Sequence, residues 1–263
     1  MKLYNADCLQ ILPQLIAEGL KVDAIIADPP YGTTACSWDS VIPLPIMWEL
    51  LERLIKSKGA IVLFGSEPFS SALRMSNIQH YKYDWIWQKS KYGNFISSHY
   101  QPIKEHETIS IFSDGASSYT KHNGGMIYYP QMWGEAIAVN KGQDKDTCLQ
   151  HQRGRMSEGY RIHSTNTTGQ RFPLSILKVP SESKRTHPTQ KPVALMEYLI
   201  KTYTLEGETV LDFTAGSGST GVACSNLNRN FIGIELDKTY FDVAYQRIAA
   251  AERTNHGEEF FGK

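Results

Sequence analysis

Thr209-Val-Leu-Asp-Phe-Thr-Ala-Gly-Ser-Gly-Ser-Thr220 decides the fold. Thr209 to Phe213 is an apolar run of buried-strand type. It breaks into a turn carrying Gly216-x-Gly218-x-x-Gly221, and a helical stretch follows from Thr220 to Leu227. Glycine in a strand-to-helix turn lets the backbone approach a nucleotide closely. Glu235, about 20 residues on at the end of the next strand (Asn230–Glu235), is an acid placed to accept from ribose hydroxyls. This spacing fits any nucleotide cofactor and does not choose among them.

After Glu235 only 28 residues remain, enough for a helix and a tail. The rest of the sheet must therefore come from upstream, where strand candidates at Lys2–Tyr4, Asp23–Ala27, Gly59–Phe64, Lys82–Lys89 and Glu107–Phe112 alternate with helical patterns such as Ile46–Ile55. Strands separated by helices give a parallel-dominated α/β sheet, here circularly permuted. A dehydrogenase that begins its sheet at the cofactor strand is set aside on the same ground. Asp28-Pro29-Pro30-Tyr31 ends the Asp23–Ala27 strand, because proline supplies no ladder donor. Ligands of open α/β sheets bind at the carboxyl ends of strands beside the switch point, so this tetrapeptide and the glycine turn should face one crevice.

The chain is neutral overall, with 27 Lys/Arg and 27 Asp/Glu, but unevenly so. Residues 113–191 carry 11 basic and 6 acidic side chains, whereas 192–263 carry 6 and 10. A local basic region suffices to attract phosphates, because fields beyond roughly 10 Å are screened at 0.1 M salt. From Ser113 to about Pro180 the periodicity disappears, among Gly, Ser, Thr, Asn and Gln with scattered aromatics such as Tyr128, Tyr129 and Trp133. A structureless loop of that length is unusual inside a compact domain, so the stretch reads as a functional insert. The four cysteines (Cys8, Cys36, Cys148, Cys224) stand apart, which argues against a zinc site or a disulfide framework and fits a reducing cytoplasm. No apolar run approaches the roughly 18 residues of a membrane span, and the first residues lack signal-peptide architecture. A cytoplasmic protein without a membrane partner is expected.

In this order, with Asp28–Tyr31 first and the glycine loop later, the chain resembles the β-class S-adenosylmethionine-dependent DNA amino-methyltransferases, the N6-adenine/N4-cytosine family. The resemblance implies a circularly permuted Rossmann-like methyltransferase sheet, α/β in class, with an inserted target-recognition region. Residues 1–112 would be the catalytic half of the core, 113–186 the basic recognition insert, and 187–263 the cofactor-binding half. Asp28, Pro29, Pro30 and Tyr31 match the catalytic motif. Asp7, in Asn5-Ala-Asp-Cys-Leu9, matches a short motif that meets the cofactor's adenine. Lys191 and Pro192, in His187-Pro-Thr-Gln-Lys-Pro192, match the segment lining its methionine end. Phe213, Gly216, Gly218 and Thr220 match the cofactor loop, and Glu235 the ribose acid. S-adenosylmethionine is the implied cofactor, and no metal is expected because the histidines show no ligand spacing. Aspartate at the first motif position goes with adenine-N6 enzymes and serine with cytosine-N4 enzymes. That tendency favours adenine and leaves N4-cytosine open.

The exocyclic amine of adenine is a poor nucleophile, because its lone pair is delocalised into the ring. Asp28 can accept one N–H and the Pro29 carbonyl the other. Two acceptors outside the ring plane favour a pyramidal nitrogen and stabilise positive charge as the methyl arrives. Tyr31 offers a stacking face. Transfer is direct, so Cys36 is not needed as a nucleophile. Asp7 could equally cap the helix that follows it. The target lies inside a duplex and must flip out. Tyr83, Trp85 and Trp87 read as sheet packing, whereas Tyr92 and Phe95 read as lining for the flipped base. Lys89, with Arg153, Arg155 and Arg161 of the insert, reads as DNA-binding. The expected partner is double-stranded DNA. RNA, a protein amide and a catalytically silent DNA-binding regulator stay open, as do a homodimer and a cognate restriction endonuclease.

Overall fold

The computed structural model describes residues 1–33, 39–93, 95–118, 124–134, 170–182 and 190–257. Strand β1 (Lys2–Asn5) leads into helix α1 (Cys8–Ala17), whose first turn is closed by Asp7 accepting the N–H of Leu9 at 2.8 Å. β2 (Val22–Ala27) is buried along its length and stops before Pro29 and Pro30. Helix α2 (Leu44–Leu54), β3 (Ile55–Gly65) and α3 (Phe69–Ser76) follow, then the long strands β4 (Tyr81–Gly93) and β5 (Lys104–Phe112). The later elements are β6 (Ile176–Lys178), α4 (Val193–Tyr203), β7 (Thr209–Asp212), α5 (Ser219–Asn226), β8 (Asn230–Glu235) and α6 (Lys238–Gly257).

The strands form one sheet in the order β1-β8-β7-β2-β3-β5-β4-β6. Pairing is parallel everywhere except β3 with β5 and β5 with β4. The permutation is visible where β7 lies beside β2, with Ala24 opposite Val210 and Ile25 opposite Leu211. At the other end of that seam the Asp23 carboxylate accepts Thr209 N–H at 2.9 Å, across 186 residues, and Lys56 Nζ at 2.6 Å. Asp23 is buried, and a buried charge is tolerated when it is paired in this way.

Successive side chains of a strand point to opposite faces, so β2 feeds two cores. Ala24 and Ile26 join Leu199, Tyr203, Ala223 and Ile248 from α4, α5 and α6. Ile25 and Ala27 join Leu12, Leu15, Leu51 and Leu54 from α1 and α2. Each fully buried aliphatic side chain contributes about 1.5–3 kcal/mol relative to exposure. The aromatic alternation on β4 is sheet packing, as its pattern suggests. Trp85 Nε1 donates to Tyr203 Oη at 2.8 Å and Trp87 Nε1 to the Val179 carbonyl at 2.8 Å.

Two elements have no counterpart in the sequence reading. Helix α3 buries Phe69 and Leu73 one turn apart, which is too short a repeat to register as a period. Strand β6 falls within 113–186 and pairs its three residues with Ile86–Gln88 of β4, covering an edge that would otherwise expose unpaired backbone groups. The chain divides into two compact units, Met1–Tyr129 with Leu174–Lys263, and Pro130–Pro173. In the second, Trp133 and Arg171 exchange backbone hydrogen bonds at 3.0 and 2.8 Å, and the guanidinium lies 5.4 Å from the indole centroid. Among the described residues no helix is long and apolar enough to cross a membrane.

Candidate active site

A cavity of about 360 Å³ lies at the carboxyl ends of β2 and β7. There α5 follows β7 on one face of the sheet and α2 follows β2 on the other, so the backbone diverges and leaves a crevice. Asp28, Pro29, Pro30 and Tyr31 line it after β2, and Phe213, Gly216 and Thr220 line it from the β7–α5 turn and first helical turn. Glu235 closes it from β8, Asp7 from the end of β1, and Lys191 from the segment before α4. The structure thus brings both ends of the sequence-predicted crevice into one space.

Asp28 is the centre of a buried chain of charges. Tyr31 Oη donates to Asp28 Oδ1, and Lys191 Nζ donates to Asp28 Oδ2. Lys191 also stands 3.2 Å from Glu107 Oε2, and Lys89 holds Glu107 Oε1 at 2.8 Å. Burial pushes the Asp28 carboxyl above its ordinary range, against the pull of the Lys191 ammonium. Burial also favours a neutral Lys191, but Asp28 and Glu107 outweigh it and hold the lysine protonated. Glu107 stays well below the ordinary range despite burial, because Lys191 and Lys89 both face it. Burial and the neighbouring Asp28 charge push the Tyr31 phenol well above 10. One face of the Tyr31 ring is stacked on Phe69, at 5.1 Å between centroids and 27° between planes.

The far end of the cavity is a ring of acids held by backbone. Glu235 accepts Gly216 N–H at 2.7 Å and Asp237 N–H at 2.8 Å. Burial raises its carboxyl, and these amides oppose the rise. Asp212 accepts Thr214 N–H at 3.1 Å and the Thr220 hydroxyl at 2.6 Å. Burial pushes it up to about 7, with Thr220 and Thr214 opposing and Asp28 and Glu235 adding to the shift. The Thr220 hydroxyl thus donates to Asp212, while the residue also lines the cavity. Gly216, at φ 54°, lines the cavity, whereas Gly218, at φ 77°, serves packing. A Cβ at 218 would come within 2.9 Å of Ala244 Cβ in α6. Asp7 both caps α1 and lines the cavity. Pro192 is buried and supplies the extended cap of α4.

Three acids at this site escaped the sequence reading. Asp212 and Asp28 occupy matching positions at the carboxyl ends of β7 and β2, a placement the strand-end rule could have flagged. Glu107 is a lone acid at the start of an apolar strand, a weaker signal. Asp39 gave none. It takes the N–H groups of Tyr31 at 2.7 Å and Gly32 at 2.9 Å on one oxygen, and Thr33 at 2.9 Å on the other. Three consecutive amides turned onto one carboxylate fix the loop that carries Tyr31. The aromatic residues read as lining for a flipped base lie elsewhere: Tyr92 at the end of β4 is 54% exposed and Phe95 in the following turn is 59% exposed. Lys89, read as a DNA contact, is committed to Glu107. Arg153, Arg155 and Arg161, with Cys36 and His187, lie outside the described residues.

The family model described as DNA methylase matches residues 22–246. The type II methyltransferase M.HpaI of Haemophilus parainfluenzae is 28% identical over 259 residues, which cover 94% of this chain and 74% of that protein. The DNA adenine methyltransferase YhdJ of Escherichia coli strain K12 is 26% identical over 261 residues, 95% of this chain and 83% of that one. Among solved structures, the M1.HpyAVI–SAM complex matches with a TM-score of 0.61 at 27% identity, covering 94% of this chain and 98% of the other.

Proposed function

The chain belongs to the DNA methylase family, and from that premise we propose that it transfers the methyl group of S-adenosylmethionine to the N6 amino group of an adenine flipped out of double-stranded DNA. The observation that carries the proposal is the shared cavity, with Asp28 and the Pro29 carbonyl at one end and Gly216 and Glu235 at the other. When bound, the cofactor supplies a methyl group on a positively charged sulfur. The residues present fit such a group. Asp7, Asp28, Asp212 and Glu235 make the lining acidic, which suits a cation. Both Glu235 oxygens accept backbone N–H groups, which orients the carboxylate while leaving lone pairs for ribose hydroxyls.

Asp28 accepts an N–H of the target amine and stabilises the charge that grows on nitrogen as the methyl arrives. Its advantage is preorganisation: Asp39 fixes the loop, Tyr31 fixes one oxygen, and neither must reorganise during the reaction. Phe69 takes one face of the Tyr31 ring, and the base stacks on the other. The stretch around Tyr92 and Phe95, together with the basic residues of 113–186, contacts the DNA.

Aspartate at position 28 supports adenine, as does the name of the YhdJ relative. N4-methylation of cytosine is the second reading, because the family includes both amines. Nucleoside mass spectrometry of DNA methylated by the purified protein separates them. N6-methyladenine is expected, and N4-methylcytosine alone would overturn the adenine assignment.

A further inference from the structure

In the free protein both acceptor atoms of Asp28 are taken, Oδ1 by the Tyr31 hydroxyl and Oδ2 by the Lys191 ammonium. Each oxygen keeps a second lone pair, so a target amine can reach Asp28, but an ammonium held on the same carboxylate would repel the positive charge that grows on that amine. Tyr31 is poorly placed to leave, because its ring is stacked on Phe69 and its backbone N–H is tied to Asp39. Lys191 has somewhere to go. Glu107 Oε2 lies 3.2 Å from its Nζ, is buried, and completes no hydrogen bond, while the other Glu107 oxygen is held by Lys89. The ammonium also lies 5.1 Å from the centroid of the Phe64 ring, so a short movement keeps it on an electron-rich surface.

We propose that Lys191 is a displaceable stand-in for the target amine: it occupies Asp28 in the free enzyme and withdraws onto Glu107 when the base enters. The inference rests on the reading of Asp28 as the amine acceptor. Lys191 is a positioning residue here, acting through Asp28. The two berths solve an electrostatic conflict. A buried Asp28 without a counter-ion would take up a proton and lose its use as an acceptor. A lysine fixed on Asp28 would repel the charge that methylation puts on the amine. Glu107, kept ionised by Lys89, gives the lysine an alternative partner 3.2 Å from its Nζ, near enough that its charge still acts on Asp28 after the move. The groups facing Asp28 are Tyr31 on its own loop, Lys191 before α4, Glu107 on β5 with Lys89 of β4 behind it, and Asp212 at the end of β7.

The test compares wild type with Glu107→Gln, Lys191→Met and Asp28→Ala, using plasmid DNA and tritiated S-adenosylmethionine. Glu107→Gln removes the second berth, so kcat/KM for DNA should fall by roughly tenfold or more, with cofactor affinity by calorimetry within about twofold of wild type. Lys191→Met should move the acid limb of the kcat/KM profile to higher pH by about one unit or more. The same variant, free of ligand, should lose stability to denaturant relative to wild type as pH rises above the ordinary aspartate range. The sign follows from Asp28, whose raised folded pKa makes ionisation unfavourable once its counter-ion is gone. If Lys191→Met proves too unstable to assay, Glu107→Gln carries the test, since it deletes a charge and little volume. Unmoved pH profiles with parallel losses of cofactor affinity would overturn the proposal and return Lys191 to the cofactor. Methyl transfer surviving in Asp28→Ala would instead overturn the reading of the site, which separates the two failures.

Discussion

The backbone N–H of Gly216 donates to Glu235 Oε2 at 2.7 Å, so the glycine turn and the acid of the next strand hold each other in place before any ligand arrives. Glu235→Ala should therefore weaken S-adenosylmethionine by roughly 1–3 kcal/mol. Asp28→Ala should leave that affinity nearly intact and abolish turnover. Calorimetry beside a methyl-transfer assay checks both, and equal losses of cofactor affinity would refute this division of labour.

The two glycines of the turn should fail differently. A Cβ at Gly216 meets Thr214 O at 4.0 Å, an ordinary contact, so alanine there costs about 1–2 kcal/mol of left-handed backbone strain and crowds the cavity wall. Gly218→Ala adds collisions with Ala244 Cβ at 2.9 Å and Cα at 3.0 Å, for a further 1–3 kcal/mol or so. Thermal unfolding should rank Gly218→Ala well below Gly216→Ala, and the reverse order would contradict the packing role.

Asp212 makes stability fall with pH. Its carboxyl is raised from 3.8 to about 7 by burial, so between those values the folded state keeps a proton that the unfolded chain has released. Stability from this group is fully present below about pH 4 and is lost as pH rises through about 7. Denaturant unfolding of the ligand-free protein should show Asp212→Asn gaining on wild type through this window. A difference that stays flat with pH would count against the buried, protonated carboxyl.

Tyr31 carries two contacts that substitution can separate. Tyr31→Phe keeps the stack on Phe69 and removes the hydroxyl from Asp28, so single-turnover methylation should slow by about tenfold, one charged hydrogen bond's worth. Tyr31→Ala loses the stack as well and should be slower still. Equal rates for the phenylalanine variant and wild type would remove the hydroxyl from the mechanism.

Arg153, Arg155 and Arg161 are assigned to DNA by charge alone. Neutralising one that meets a phosphate should weaken binding similarly on all sequences and lower the salt slope by about one. One that reads a base should relax discrimination by about 1–3 kcal/mol. Cofactor affinity should be unchanged in each, as filter binding and calorimetry would reveal.

What the chain disclosed beforehand was what repeats or punctuates. The Asp28 tetrapeptide ends a strand because of its prolines, and Gly216 and Gly218 mark a turn because left-handed backbone needs them. Those signals placed β2, β7 and β8 and the crevice between them. Asp39, Glu107 and the bond from Thr220 to Asp212 were not legible, because their partners are chosen by chain reversal and burial. Lys191 was assigned to the cofactor by its place in a motif, and its contact with Asp28 emerges once β2 and α4 lie side by side. Tyr92 and Phe95 show the converse: an aromatic cluster looks like a pocket in one dimension, and the sheet leaves both side chains in solvent.

The bond from Thr209 to Asp23, spanning 186 residues, bears on how the protein is made. At roughly 5–20 residues per second, a ribosome that has finished β2 needs on the order of 10–40 seconds to deliver β7. Throughout that interval one flank of β2 presents an unsatisfied strand edge, apolar but for Asp23, the kind that invites pairing with a neighbouring nascent chain. The late seam therefore makes newly synthesised molecules most vulnerable to aggregation just before they acquire a binding site. A chaperone that shields β2 until Thr209 emerges would raise the yield of active enzyme without touching its final stability.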